Sequence, residues 1–419
     1  CGNTIDGLST RSHLSSGIPG TVDGMIKLHQ NYGSLKFTEL IQPAIDIALN
    51  GFVITLKQAE GLNRAKSKFT SMNNYKVPFI NEDTWFEGDT LIQVDLAHTL
   101  ERVRDNGRAG FYEGETAKYI LAQMNNGNGI ISEGDLINYS SKWRIPISAN
   151  YKDYSVISMG PPSSGGVCLI QILKIIEDFP VHSYTSNSKE YIHLFSEAAK
   201  RVYADRAEFL GDPDFVDVYE YKLINSNYLK DRFSDFNPNS ATPSDSIFHG
   251  NPMPYESPET THYSIVDKYG NAVSATTTIN HSYGSGIVVK GAGFILNNEM
   301  DDFSSKPGEP NSFGLVGGYA NSIEPEKRML SSMTPTIITK NNKLFMVIGS
   351  PGGSRIITSV LQSIINVIEF NMTMQEAVST GRFHHQWLPD NIFIESGAID
   401  SLTIDSLINI GHKINICDP

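Results

Sequence analysis

The chain has 419 residues, 40% of them hydrophobic, so it can bury a full core as one large α/β domain or as two or three smaller domains. Its formal net charge of −13 argues against nucleic acid or an anionic membrane surface as a partner, because phosphate contacts require clustered Lys and Arg. No apolar run reaches the length of a membrane span, and three cysteines do not form a disulfide framework.

The first half of the chain is predicted to be largely helical. Apolar residues recur at helical spacing in residues 38–51, 167–179 and 191–210. Cys168 lies in the apolar run of the second of these helices, so we expect a small core residue rather than a reactive thiol.

Residues 237–259 connect this helical half to the remainder of the chain. From Pro243 to Glu259 the sequence is polar, contains four prolines and has almost no apolar periodicity. Such a stretch cannot bury enough apolar surface to become strongly ordered. We therefore expect an exposed, flexible loop.

A buried β-hairpin is predicted directly after this loop, with strands at residues 262–267 and 272–280. If the turn pairs residue 267 with residue 271, the numbers of paired residues sum to 538 and Thr260 lies opposite Thr278. Thr278 and Asn280 should then lie beside Thr260.

Thr260 itself has two interpretations. A strand that begins with threonine straight after a flexible segment is typical of an N-terminal nucleophile released by self-cleavage. Cleavage between Glu259 and Thr260 would give one residue both a hydroxyl nucleophile and a free α-amine as its base. The alternative is an ordinary threonine-rich strand, since β-branched residues favour sheets. The hairpin alone does not decide between a nucleophile and an ordinary strand residue.

Strands dominate the next part of the chain, and a helix follows them. Strands are predicted at residues 293–298, 336–339, 343–348 and 413–417, and a helix at residues 356–370. Helices, then a block of antiparallel strands, then more helices indicate an α/β layered sandwich.

A glycine-rich turn lies between the strand at 343–348 and the helix at 356–370. The backbone amides of Gly352 and Gly353, with a helix N-terminus behind them, suit an anion. A nucleotide-phosphate loop is disfavoured because the GxxxxGK[ST] pattern is absent, and a simple tight turn is the other alternative. Beside a threonine nucleophile, an oxyanion hole is favoured.

Several motifs, in the same order and with plausible spacing, resemble those of the γ-glutamyltranspeptidase family. In the second half of the chain they are residues 260–264 (TTHYS), 296–304 (LNNEMDDFS), 331–332 (SS), 349–355 (GSPGGSR) and 382–389 (RFHHQWLP). In the first half they are residues 161–166 (PPSSGG) and 203–206 (YADR), so the resemblance covers nearly the whole chain.

The resemblance implies a fold and an organisation. The fold class would be α/β, as the four-layer αββα sandwich of N-terminal nucleophile hydrolases. Residues 1–259 would form a large-subunit portion, mostly helical, and residues 260–419 a catalytic small-subunit portion. Both would contribute to one sandwich as a heterodimer cut from one precursor. Family members usually carry more sequence at both ends, so the chain is expected to be truncated there.

The resemblance also implies an activity. The enzyme would cleave the γ-glutamyl amide of glutathione and related donors through a γ-glutamyl-threonine ester, and pass the group to amino acids, peptides or water. No cofactor and no metal are implied, and the location would be periplasmic or secreted. A γ-glutamyl-polymer depolymerase or cephalosporin-type acylase is the near alternative, and a catalytically silent binding homologue the alternative from another class.

Site residues follow from the chemistry of a γ-glutamyl donor. Thr260 would be the nucleophile, Thr278 would hydrogen-bond its hydroxyl, and the Gly352 and Gly353 amides would hold the oxyanion. The donor ammonium needs acceptors, and the predicted ones are Asn280, Glu299 and Asp302. The donor carboxylate needs hydrogen-bond donors, and the predicted ones are Ser331 and Ser332.

Each binding group also has a plainer interpretation. Residues 297–302 alone are typical of a solvated acidic turn or an incidental calcium loop, and Ser331 and Ser332 of a helix cap or turn. The arginine with which the family clamps the carboxylate would lie upstream of Cys1. His384 and His385 are predicted to serve packing or hydrogen bonding, because the Thr260 amine already supplies a base.

Overall fold

The computed structural model describes residues 5, 7–248, 260–312 and 314–418. Its contacts divide the chain into two units, residues 1–143 with 279–301 and residues 144–278 with 302–419. Glu259, one side of the predicted cleavage site, lies outside the described residues. The predicted division between residues 259 and 260 is a covalent cut, whereas the two units are defined by contacts. The units therefore do not test the predicted cut, which stays a prediction.

The first unit is helical. Its helices are α1 (Thr21–Tyr32), α2 (Phe37–Asn50), α3 (Leu56–Met72), α4 (Val94–Asn106), α5 (Ala109–Tyr112), α6 (Gly114–Asn126) and α7 (Glu133–Asn138), and its two short strands are β1 (Phe52–Val53) and β2 (Thr90–Leu91). The α2 prediction at residues 38–51 is therefore confirmed within one residue.

The second unit carries the sheets. Its strands are β3 (Ile147–Tyr151), β4 (Tyr154–Ser158), β5 (Thr261–Val266), β6 (Ala272–Thr277), β7 (Thr336–Lys340), β8 (Lys343–Ile348), β9 (Phe383–His384), β10 (Ile392–Glu395) and β11 (Ile414–Cys417). Its helices are α8 (Gly165–Ile176), α9 (Lys189–Phe209), α10 (Glu220–Leu223), α11 (Ser226–Arg232), α12 (Ile356–Ile368), α13 (Met374–Ser379) and α14 (Ser401–Asn409).

The main sheet is antiparallel, with strand order β3-β4-β7-β8. The β7–β8 turn places Asn341 and Asn342 at φ of 52° and 59°, as a tight hairpin turn requires. Between β4 and β7 the ladder runs from the Tyr154–Lys340 pair to the Ser158–Thr336 pair. Strands on both sides of the predicted cleavage point therefore share one set of backbone hydrogen bonds.

Helices α8, α9 and α12 form the largest core, together with this sheet. Eleven of the twelve residues of α8 are buried and most of them are apolar, as expected for a helix enclosed on nearly every side. Cys168 is one of them, fully buried, and burial raises the pKa of its thiol to about 12. The prediction of an inert core cysteine is confirmed.

The hairpin β5–β6 has the predicted register. Its pairs run from Val266–Ala272 to Thr261–Thr277, and every pair sums to 538. The returning strand stops at Thr277, so the prediction that it reaches residue 280 is wrong. Asn280 has a φ of 72°, a left-handed conformation that a strand residue does not adopt.

The expectation of a buried hairpin is also wrong within this unit. Alternate residues point to opposite faces. Ser274 lies on the inner face, where its Oγ donates to the Ile348 carbonyl at the end of β8 over 3.0 Å. Ile265 and Val273, on the outer face, are 55% and 46% exposed. The β-branched composition predicted the two strands correctly, but it did not predict that one face of the hairpin is exposed.

Two further sequence predictions are corrected. Residues 293–298 do not form a strand: Ile295 makes one isolated bridge to Val288, because the Ala292 and Gly293 amides turn back to the Val289 carbonyl. The loop predicted from Pro243 onward is ordered at its start, where Ser244 and Ile247 are buried. Its polar atoms are satisfied by charged side chains of α9 that local composition does not reveal. Residues 249–259 lie outside the described part.

Gly349 tests how the hairpin is seated on β8. A Cβ at Gly349 would lie 2.2 Å from the His262 ring, so alanine there forces His262 away from the sheet. We expect Gly349→Ala to lower the free energy of unfolding by about 1–3 kcal/mol in urea titrations. The control is Gly24→Ala on α1, where no atom lies within 4 Å of the added Cβ. Equal unfolding midpoints for Gly349→Ala and wild type would contradict this seating.

Candidate active site

Thr260 and Thr278 occupy the open end of the hairpin. The last ladder pair is Thr261–Thr277, so Thr260 and Thr278 are the next residues along the two strands. Just inside this end, His262 Nδ1 lies 2.9 Å from Thr276 Oγ1. The structure thus brings the predicted nucleophile and its predicted partner to the same end of one hairpin.

The glycine-rich turn lies beside that hairpin. Gly349 packs against His262, and His262 follows Thr260 by two positions in the sequence. Gly352 and Gly353 have φ of 129° and 52°, conformations that glycine adopts without a steric penalty. A 3-10 turn begins at Gly353 and continues into α12, as predicted. Neither glycine amide donates a hydrogen bond among the described residues, so both can meet an anion.

The pair Ser331–Ser332 is held by backbone bonds to the loop before α8. The Ser331 amide donates to Pro162 and its carbonyl accepts from the Ser164 amide, over 2.9 and 2.8 Å. Ser331 Oγ accepts from the Met333 amide at 3.0 Å, and Ser332 Oγ accepts from Arg206 at 3.2 Å. Within the described part of the chain neither hydroxyl donates a hydrogen bond, so each can donate to a carboxylate.

Arg206 and Asn321 organise these groups, although the sequence analysis gave neither a role. The Arg206 guanidinium is buried and also donates to Ser164 Oγ at 2.9 Å. Burial lowers its pKa, and interactions with Cys168, Tyr203 and the Asp302 carboxylate oppose that shift. Asn321 donates to the Asp302 carbonyl at 2.7 Å and accepts from the Leu330 amide at 2.9 Å. It thereby joins the acidic loop to the serine pair.

Sequence signals for these two residues differ. Arg206 lies within a motif already quoted for the resemblance, and an arginine in the middle of an apolar helix suggests a buried polar partner. Asn321 lies in a stretch with no motif, and its contacts depend on the folding of two distant loops.

Asn280 and Glu299 belong to the first unit. The Asn280 side chain is buried and donates to the Asn298 carbonyl at 2.9 Å. Asn297 fixes the start of the acidic loop, accepting from the Gly17 and Glu299 amides at 2.9 and 3.0 Å. Residues Glu299–Asp302 form one 3-10 turn.

The Glu299 carboxylate is poorly neutralised. Its Oε1 is buried and has no hydrogen-bond partner among the described residues. Burial raises the pKa of Glu299 to about 7, and a hydrogen bond from the Asn280 backbone amide opposes the shift. A buried carboxylate without a counter-charge favours a bound cation. These properties disfavour the alternative of a solvated acidic turn.

The predicted site residues therefore fall into two groups. Asn280 and Glu299 lie in one unit; Thr260, Thr278, Asp302, Ser331, Ser332, Gly352 and Gly353 lie in the other. The two groups are described separately, and their union in one site stays a prediction.

His384 and His385 are buried and hydrogen-bonded, as predicted. His384 Nδ1 lies 2.8 Å from Thr358 Oγ1, and His385 Nδ1 accepts from the Trp387 amide at 3.0 Å. Burial lowers the pKa of His385 to about 4. Both rings are integrated into the core.

Comparison with known proteins places the chain in a family. A family model described as Gamma-glutamyltranspeptidase matches residues 2–418. The glutathione hydrolase proenzyme of Escherichia coli strain K12 is 46% identical over 398 residues, which are 94% of this chain and 69% of that protein. A crystal structure of Helicobacter pylori gamma-glutamyltranspeptidase is 41% identical, with a TM-score of 0.57, over 59% of this chain and 71% of that one.

A crystal structure of a cephalosporin acylase from Bacillus halodurans aligns with this chain at a TM-score of 0.83 and 23% identity. The alignment covers 98% of this chain and 73% of the acylase chain. At that identity the match concerns the fold alone. The fold belongs to the α/β class, as an αββα sandwich, as predicted. Within that class the chain belongs to the γ-glutamyltranspeptidase family, and it is an enzyme.

Asn321 tests how the acidic loop is joined to the serine pair. Asn321→Leu keeps the size of the side chain but leaves the partly buried Asp302 carbonyl and the buried Leu330 amide without these partners. Each such loss costs about 1–3 kcal/mol, so we expect the free energy of unfolding to fall by roughly 2–6 kcal/mol in urea. The control Asn227→Leu, at an exposed position on α11, should change it little. Equal stability of the two variants would show that the bridge is unimportant.

Proposed function

We propose that this protein is an autoprocessed γ-glutamyltransferase and hydrolase that acts on glutathione and related γ-glutamyl amides. The observation that carries the proposal is the packing of the hairpin that begins at Thr260 against a turn whose Gly352 and Gly353 amides donate no hydrogen bond among the described residues. A nucleophile and an oxyanion hole are the two parts that acyl transfer requires.

Acylation of the enzyme begins with the Thr260 hydroxyl. Its Oγ attacks the γ-carbonyl of the donor, and its proton passes to the Thr260 α-amine, which cleavage has made free. The Gly352 and Gly353 amides stabilise the negative charge that develops on the carbonyl oxygen. Collapse of this intermediate breaks the amide bond, and the leaving amine takes the proton. Thr278 orients the hydroxyl through a hydrogen bond.

The product of this half-reaction is a γ-glutamyl-threonine ester. An acceptor amine or a water molecule then attacks the ester carbonyl and gives its proton to the same α-amine. The Thr260 hydroxyl is regenerated. An amino acid or peptide acceptor gives transfer, and water gives hydrolysis.

The donor is recognised at its amino-acid end. The Ser331 and Ser332 hydroxyls, which accept hydrogen bonds from the protein, donate to the α-carboxylate. Glu299 and Asp302 neutralise the α-ammonium, and the Asn280 side chain adds an acceptor. The unneutralised Glu299 carboxylate supports this assignment, because a bound ammonium would supply the missing counter-charge.

Processing would occur between Glu259 and Thr260. The Thr260 hydroxyl attacks the Glu259 carbonyl, and water releases the resulting ester. The large and small subunits then stay together as a heterodimer, which the β4–β7 ladder supports because its strands lie on opposite sides of the cut.

The relatives' names, glutathione hydrolase proenzyme, support glutathione as the small-molecule γ-glutamyl donor. An amino-acid or peptide acceptor and a periplasmic or secreted location are proposed from the resemblance alone. Among the described residues, no helix has both the length and the apolar character needed to span a bilayer. The acylase alternative has less support, because the Acylase ACY 1 proenzyme of Pseudomonas sp. strain SE83 is 32% identical to this chain, whereas the glutathione hydrolase proenzyme of Escherichia coli is 46% identical.

Thr260 variants test the nucleophile. Thr260→Ala removes the hydroxyl and should abolish both processing and release of a chromogenic γ-glutamyl anilide. Thr260→Ser keeps a hydroxyl but lacks the methyl group that restricts χ1, so both steps should continue more slowly. Thr278→Ala should slow both without abolishing them. Substantial anilide release by Thr260→Ala would place the nucleophile elsewhere.

Glu299 predicts how donor affinity depends on pH. With a pKa of about 7 the carboxyl is largely neutral at pH 6 and ionised at pH 8, so the donor KM should fall as pH rises through 7. Glu299→Gln should raise KM at pH 8 by roughly ten- to hundredfold and remove this dependence, because a hydrogen bond to a charged group contributes about 1.5–3 kcal/mol.

Titration of the Thr260 amine should change kcat, whereas titration of Glu299 should change KM. Measuring both constants at each pH separates the two effects. The exposed Glu309→Gln variant serves as a control and should keep the wild-type KM profile. A wild-type KM that stays flat from pH 6 to 8 would remove Glu299 from the donor site.

A further inference from the structure

Arg206 lies near the end of α9 and takes no part in the acyl transfer proposed above. Its side chain is buried, and among the described residues no carboxylate lies within ion-pair distance of its guanidinium. Arg201, the other buried arginine of α9, differs in this respect: it pairs with Glu197 at 2.9 Å and with Asp235 at 2.7 Å. Arg206 is therefore a buried positive charge that the described part of the chain leaves without an ion-pair partner.

The hydrogen bonds of Arg206 lead to both members of the serine pair. Its Nη2 donates to Ser332 Oγ at 3.2 Å. Its Nε donates to Ser164 Oγ at 2.9 Å, and the Ser164 hydroxyl donates to the Ser331 carbonyl at 2.8 Å. The guanidinium thus holds Ser332 directly and Ser331 through Ser164.

The bond from Arg206 determines what the Ser332 hydroxyl can do. A hydroxyl has one proton and two lone pairs. Arg206 occupies a lone pair of Ser332 Oγ, and within the described part of the chain this hydroxyl donates no hydrogen bond. A cationic donor also polarises the hydroxyl, which strengthens the bond that the hydroxyl donates in turn. Ser332 is therefore prepared to donate to an anionic group.

The charge of Arg206 has a free-energy cost that a structural role alone would not require. Neutral hydrogen-bond donors could link Ser164 to Ser332, whereas a buried guanidinium is costly unless a counter-charge accompanies it. The Asp302 carboxylate attracts Arg206, but burial outweighs this attraction and lowers the pKa of the guanidinium. A carboxylate bound at the serine pair would supply the missing counter-charge, because only the Ser332 hydroxyl would separate the two charges.

We propose that Arg206 makes the donor site selective for charge: it positions Ser332 and favours a free α-carboxylate over a neutral α-amide. The proposal rests on the function proposed above, in which the serine pair binds the donor carboxylate. Arg206 acts through Ser332, so it is a positioning and specificity residue. Glutamyl groups whose α-carboxyl is joined onward through an amide bond would then be poor donors, because an amide forms hydrogen bonds with the serines but gains nothing from the charge.

The test compares two chromogenic γ-glutamyl anilides, one with a free α-carboxylate and one with an α-carboxamide. The quantity measured is the ratio of their kcat/KM values, in which the fraction of folded and processed enzyme cancels. Arg206→Gln keeps amide donors but removes the charge, so the preference for the carboxylate should fall roughly ten- to hundredfold, mainly through KM of that donor. Arg206→Lys keeps the charge and should retain more of the preference.

Arg232→Gln is the matched control. It removes the same charge from the same unit, but the Arg232 guanidinium already pairs with Asp205 at 2.9 Å. Its ratio should equal that of wild type. Should Arg206→Gln yield no folded protein, Ser164→Ala removes one of the two hydrogen bonds that hold the guanidinium. This smaller change should lower the ratio roughly two- to tenfold.

Several outcomes would overturn the proposal. In Arg206→Gln, an equal loss for both donors would show a merely structural role. A ratio as low in Arg206→Lys as in Arg206→Gln would show that the charge is not the cause, and a wild-type ratio in Ser164→Ala would show that the guanidinium does not act through this network. A wild-type chain that releases anilide from neither donor would instead count against the proposed function itself.

Discussion

The antiparallel ladder between β4 and β7 is the constraint on which the second unit depends. Five residue pairs, from Tyr154–Lys340 to Ser158–Thr336, join segments almost two hundred residues apart in sequence. Because β4 is fixed there, the loop that follows it meets Ser331, and α8 begins directly behind that loop. Because β7 is fixed, β8 and its terminal glycine turn lie against the hairpin. The same hydrogen bonds would keep the two subunits associated once the covalent connection is cut.

The carboxylates of Glu197 and Glu299 differ in how far their charge is neutralised by neighbouring groups. Glu197 lies between Lys200 and Arg201, and these partners lower its pKa to about 2 despite burial. Among the residues that the structure describes, Glu299 has no such partner, and burial raises its pKa to about 7. A paired buried carboxylate supports the fold, whereas an unpaired one has a cost that a bound ammonium would offset. The two pKa values differ because the neighbouring groups in the structure differ, since both residues are glutamates.

Local pattern was sufficient for much of this structure. The spacing of apolar residues predicted α8, α9 and α12 to within a few residues, and the turn at residues 267–271 predicted the register of β5–β6, because helical periodicity and tight-turn geometry are properties of neighbouring residues. Prediction from local sequence pattern failed where contacts between distant segments determine the structure. The exposed outer face of the hairpin, the ordered start of the loop at residues 243–247 and the bridge made by Asn321 all depend on partners far away in sequence. The roles of Thr260 and the glycine turn could be predicted because the strand and the turn each carry a local signal, and these roles stay predictions. The bridging position of Asn321 carries no such signal.

The central claim is that Thr260 becomes an amino terminus. The most direct measurement is the intact mass of the purified 419-residue chain under denaturing conditions, followed by N-terminal sequencing. The account predicts two fragments, residues 1–259 and 260–419, whose masses sum to that of the 46.2 kDa chain plus one water, the smaller beginning Thr-Thr-His-Tyr. A single uncut chain that still releases the γ-glutamyl group from its donor would contradict it.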